Sequence, residues 1–188
     1  MHVLGINGVG TDGSGTTDTL LQTLELLGHT AVDCNYRETR LGRFQTYDRG
    51  RQFADAVQIA RRYWPAGGCV VVAHSRGCLV AWRMWELGYL CTAAFLFRPA
   101  MNRDFFLPRG QHRVVCIHSP QDRAIKWGKR LPFNDFGDAG RFGFLDERIE
   151  NIEAPVYSER EFWRHNDDFL YPQVDQWAVF IHRRLERL

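Results

Sequence analysis

The stretch Cys69-Val70-Val71-Val72-Ala73-His74-Ser75-Arg76-Gly77-Cys78 runs from an apolar strand into a helical pattern, with a serine at the junction. A strand that turns sharply into a helix strains the residue at the bend and crowds its neighbours. Positions two before and two after must then be small while the serine oxygen projects above the sheet. Ala73 and Gly77 meet that demand. A serine hydroxyl becomes a nucleophile when a base takes its proton and an acid orients the base. Residues of those types follow in order: Asp122 in the loop after an apolar strand, and His165 in a loop before the last helix.

The elbow and its ordered partners resemble the α/β-hydrolase superfamily, especially its small members without a large cap domain, with Ala73 where the family often has glycine. The resemblance implies that Ser75 attacks an acyl carbon, that His165 is the general base, and that Asp122 holds it in the productive tautomer. It also implies an oxyanion hole, with Arg76 N–H as one donor and a second donor from the loop after the first strand. There the family's His-Gly-x is replaced by Asn7-Gly8-Val9, with Val9 N–H the first choice and Gly8 or Gly10 as alternatives. Asp104 is the competing acid, because some members carry it one strand earlier. His74 reads as packing or elbow support, and His118 as a group beside the acid.

The first loop admits another reading. Gly8, Gly10 and Gly13 satisfy G-x-G-x-x-G after a first strand, and Asp33 lies about 20 residues further on, as in dinucleotide-binding folds. The same glycines nearly make a P-loop, but no lysine follows them and no strand ends in a metal-binding Asp, which argues against phosphate hydrolysis. One loop cannot easily hold a pyrophosphate and also close over an acyl oxyanion, and the elbow with two ordered partners favours a serine hydrolase, a carboxylesterase in the first instance. No cofactor or metal is needed. Asp167-Asp168 reads as a charge pair at a helix start rather than a metal site. Trp127, Phe133, Phe136, Phe142 and Phe144 make 123–148 a pocket-lining segment or small lid, or ordinary packing under a long loop.

These residues need a scaffold, and the pattern alternates short apolar runs with amphipathic stretches from end to end. Strands are expected at 2–7, 29–35, 69–74, 93–98, 112–118 and 149–157, and helices at 16–27, 50–63, 76–87 and 172–187. Thr17 and Asp18 are candidate N-caps, and Pro172 sits at a plausible first-turn position. Continuous apolar strands separated by helices predict an α/β three-layer sandwich with a mostly parallel sheet of about six strands, one domain over 1–188. Residues 99–111 and 119–148 are expected to be irregular connections.

Composition agrees with a single folded domain, and the partner implied by the hydrolase resemblance is a small-molecule acyl substrate. The 188 residues are 45% hydrophobic, enough for a sizeable core, and their formal charge is +2. Nearly all the basic residues are arginine, with Arg37, Arg40, Arg43, Arg49 and Arg51 clustered, yet the near-neutral total and lack of a basic helix argue against nucleic acid. No apolar run spans a bilayer and no signal-peptide pattern opens the chain, so a cytoplasmic setting is expected. Cys34, Cys69, Cys78, Cys91 and Cys116 are scattered and read as buried thiols. Oligomeric state is left open.

Overall fold

The computed structural model describes residues 1–8, 16–34, 49–128, 136–155 and 165–188. Its strands are β1 (His2–Ile6), β2 (Thr30–Asp33), β3 (Val70–His74), β4 (Ala93–Phe97), β5 (Val114–His118) and β6 (Ile149–Glu153). The helices are α1 (Asp18–Leu26), α2 (Arg49–Tyr63), α3 (Arg76–Glu86), α4 (Arg123–Gly128), α5 (Ala139–Phe142) and α6 (Gln173–Leu185), with a 3-10 turn at Asp167–Phe169. The strands form one sheet in the order β2-β1-β3-β4-β5-β6, every neighbouring pair parallel.

Each residue of β3 and β4 is buried, which accounts for their unbroken apolar sequence. Alternate side chains serve opposite layers. Val71, Ala73, Ala94 and Leu96 pack with Ile59 of α2 and Leu79 and Trp82 of α3. Val70, Val72, Phe95 and Phe97 pack with Leu20 and Leu24 of α1 and Trp177 and Ile181 of α6. The edge strand β2 alternates exposed with half-buried residues instead.

Because all strands are parallel, their carboxyl ends share one edge. The chain order reverses between β1 and β3, and such a switch point opens a crevice above the strand ends where ligands bind. Register pairs Ile6 with Ala73 and His74 with Phe97, so the ends of β1, β3 and β4 lie side by side there.

The expected elements are present with ends shifted by a few residues, the last strand closing at Glu153 while Asn35, Val156 and Tyr157 lie outside the described residues, and with three further differences. The connection 119–148 carries α4 and α5, which at 6 and 4 residues are too short to display a helical period in sequence. Thr17 occupies the N-cap position of α1 but its side chain does not cap the helix. Its Oγ1 and N–H both donate to Asn7 Oδ1 at 2.9 Å, and Asp18 is the first helical residue. Pro172 precedes α6 as its N-cap residue rather than opening the first turn. All five cysteines are buried and free, and burial pushes the Cys91 thiol up to about 12. Among the described residues no helix is long and apolar enough to cross a membrane.

Candidate active site

The junction of β3 and α3 has the geometry its sequence demands. Ser75 adopts φ 55° and ψ −119°, a backbone conformation costly for a residue with a Cβ. Hydrogen bonds secure it. Ser75 N–H donates to Phe97 O at 2.9 Å, while its carbonyl accepts from Cys78 N at 3.2 Å and Ala100 N at 3.1 Å. A Cβ added to Gly77 would lie 2.1 Å from Ile6 O, so only glycine lets α3 approach β1 this closely. Ala73 is fully buried. Above the bend, a Cβ on Gly8 would lie 2.9 Å from Ser75 Cβ, which places the start of the glycine loop against the serine. Arg76 is the first residue of α3, and its buried guanidinium donates to Asp55 Oδ2 of α2 at 2.7 Å.

Asp122 follows β5 and is completely buried. Its Oδ2 accepts from His165 Nδ1 at 2.6 Å and its Oδ1 from Ile125 N at 2.9 Å, at the start of α4. A neutral imidazole that donates from Nδ1 keeps Nε2 as a base. His165 is tied to the elbow as well. Its carbonyl accepts from His74 Nε2 at 3.2 Å, and the two rings lie 4.7 Å apart between centroids. No hydrogen bond joins His165 to Ser75. In enzymes without substrate that bond is often long and tightens only when the reacting complex forms.

Burial, and next the neighbouring His165, hold His74 well below the usual histidine range, so the ring is neutral. With Nε2 donating, its Nδ1 is an acceptor, buried without a hydrogen-bond partner on the side facing Gly8. Asp104 is exposed, and no hydrogen bond links it to His165. His118 Nδ1 bonds to Arg141 O at 3.1 Å, and burial lowers its pKa.

The expectation of a charge pair at a helix start is changed at Asp168. It lies in the 3-10 turn Asp167–Phe169, but it is a fully buried partner of Arg98, whose Nε donates to Asp168 Oδ2 at 2.6 Å. Sequence offered one sign of this, an arginine directly after the apolar run Ala93–Phe97, since a buried charge requires a partner. The partner's identity was not readable. Among the described residues no group of three or more His, Cys, Asp or Glu side chains could hold a metal.

In the first loop, Asn7 Nδ2 donates to Asp33 Oδ1 at 2.6 Å. Burial, and then repulsion from Asp18, push the Asp33 carboxyl up to about 6. The Asp33 carboxyl thus anchors the residue that leads into the glycine loop. Val9, Gly10 and Gly13 lie outside the described residues. Of the aromatic residues at 123–148, Phe136 and Phe144 are buried, Phe144 stacking on Trp82, while Trp127 and Phe142 are exposed; Phe133 lies outside the described residues.

Comparison with known proteins places the architecture. No family model matches the chain, and no curated protein matches it in sequence. Solved structures do. A protein of Xanthomonas campestris pv. campestris described as a hydrolase of the α/β superfamily superposes with TM-score 0.54 and 16% identity, covering 100% of this chain and 99% of that one. Mouse alpha/beta hydrolase domain-containing protein 10 gives TM-score 0.65 at 12% identity over 99% and 90%. TT1662 of Thermus thermophilus gives 0.56 at 14% over 98% and 89%.

Proposed function

We propose that this chain, which has the α/β-hydrolase fold, is a serine hydrolase cleaving a carboxylic ester or related acyl bond of a small molecule. The observation that carries the reading is the 2.6 Å hydrogen bond between His165 Nδ1 and the buried Asp122, formed beside a serine held at φ 55° on a strand-to-helix bend.

In the proposed reaction, Ser75 Oγ attacks the acyl carbon as its proton passes to His165 Nε2. Asp122 stabilises the imidazolium from the other side of the ring. The negative charge that develops on the acyl oxygen is held by N–H groups of Arg76 and Val9. His165 then returns the proton to the leaving alcohol, leaving Ser75 acylated. Water, deprotonated by the same histidine, attacks the acyl-enzyme, and the proton goes back to Ser75 as the acid departs. No step calls for a metal or cofactor.

The test is labelling with a fluorophosphonate probe. The modified residue is expected to be Ser75, and Ser75→Ala is expected to remain folded while losing both labelling and hydrolysis of short p-nitrophenyl esters. Undiminished turnover by the folded variant would overturn the assignment.

A further inference from the structure

We propose that the buried pair Arg98–Asp168 is a positioning device for His165, tying the histidine to the same strand end that holds the serine. The inference rests on the reading of His165 as the general base. Arg98 immediately follows β4, with φ 48°, and its N–H donates to Ile117 O at 2.8 Å, fixing the bend to β5. Its Nε reaches Asp168 across 2.6 Å, with the two side chains 1% and 0% exposed. The turn containing Asp168 is closed by Phe169 N donating to Asn166 O at 2.9 Å, and Asn166 directly follows His165, so the pair holds the turn next to the histidine.

The adjoining residue gives the pair its meaning. Phe97 O accepts the Ser75 N–H, and the next residue along, Arg98, holds the histidine's turn. Nucleophile and base are therefore both referenced to one dipeptide, Phe97-Arg98. A second tie, His74 Nε2 to His165 O, comes from the residue just before the serine. Phe169 packs on both His74 and Phe97, with ring centroids 5.0 Å from each. Stability alone does not explain an ion pair here, because well-packed apolar residues of similar volume often serve a buried site as well or better. A directed charge-assisted hydrogen bond supplies what apolar contact lacks, a set distance and angle.

The test compares the double variant Arg98→Met/Asp168→Leu with Arg98→Lys, each measured beside wild type and Ser75→Ala. The double variant replaces the pair by apolar bulk. It is expected to melt within a few degrees of wild type yet lose about 10²-fold in kcat with KM nearly unchanged, the scale of a displacement of about 1 Å. Arg98→Lys keeps the charge but not the directed Nε contact, and is expected to lose at least tenfold in kcat. The second readout is the His165 Nδ1 proton in nitrogen-15-labelled protein, whose low-field resonance should shift or broaden in both variants. Wild-type kcat and an unshifted resonance in a folded variant would overturn the proposal, and Arg98→Lys serves if the double variant does not fold. If Ser75→Ala proves fully active, the hydrolase reading fails, and the resonance alone still decides whether the pair positions His165.

Discussion

His165 and Asp122 stand 43 positions apart in the chain and meet through a 2.6 Å hydrogen bond at the carboxyl edge of the sheet, with the acid fully buried. A carboxylate in that setting is satisfied by its partners or not at all. In the proposed mechanism, replacing Asp122 by Asn removes the charge that would stabilise the imidazolium and lets the ring settle in the wrong tautomer. Asp122→Asn should lower kcat by about 10⁴-fold, as amidation of a triad acid does. Asp104→Asn should have a mild effect. Steady-state kinetics on a short p-nitrophenyl ester check both, and the reverse ranking would move the acid to Asp104.

The two glycines around the elbow should separate folding from turnover. A methyl at Gly77 would meet the backbone oxygens Ile6 O at 2.1 Å and Asn7 O at 2.6 Å, so Gly77→Ala forces α3 away from β1. It should destabilise by about 3 kcal/mol or more, in the range of severe core overpacking. A methyl at Gly8 would instead press on Ser75 Cβ at 2.9 Å. Gly8→Ala should reduce fluorophosphonate labelling with a smaller loss of melting temperature. Equal melting and labelling in both variants would contradict this division.

The glycine loop should contribute one oxyanion donor. Val9→Pro deletes the N–H proposed for that role and should cost about 10²–10³-fold in kcat with little change in KM. Calorimetric titration of wild type with NAD and NADP should show no micromolar binding. Cofactor binding that weakens in Asp33→Ala, together with full turnover in Val9→Pro, would favour the dinucleotide reading of Gly8, Gly10, Gly13 and Asp33.

Asp33 should make stability depend on pH in the direction opposite to a paired carboxylate. Its carboxyl lies at about 6 in the folded chain against 3.8 for the ordinary group, because burial and Asp18 disfavour its charge. The folded state thus binds the extra proton between those values. The contribution is fully present below the unfolded value and is lost as pH rises through about 6. Asp33→Asn keeps an acceptor for Asn7 Nδ2 and removes the charge. It should stabilise the protein at pH 7 by about 1 kcal/mol, since solvent at this half-exposed group screens much of the full effect. The gain should vanish near pH 4, and thermal melts across that range would reveal a gain that instead persists there.

Local sequence determined the sheet and the elbow. Unbroken apolar runs at Val70–Ala73 and Ala93–Phe97 can be buried on both faces only in a parallel sheet under helices, and a serine flanked by Ala73 and Gly77 fits a tight strand-to-helix bend. These are short-range demands of sterics and burial, so neighbouring residues carry them. The partnerships of buried charge were decided by the tertiary structure. Nothing near Asp168 in sequence marks it as the partner of Arg98, which lies 70 positions earlier, and nothing near Asp55 marks it as the partner of Arg76. Asn7 likewise turns from a loop residue into the link between Thr17 and Asp33 only when β1, β2 and α1 converge. Which charges meet depends on how strands are ordered and helices laid across them. A charged residue announces that it needs a partner when buried, and the fold alone supplies which one.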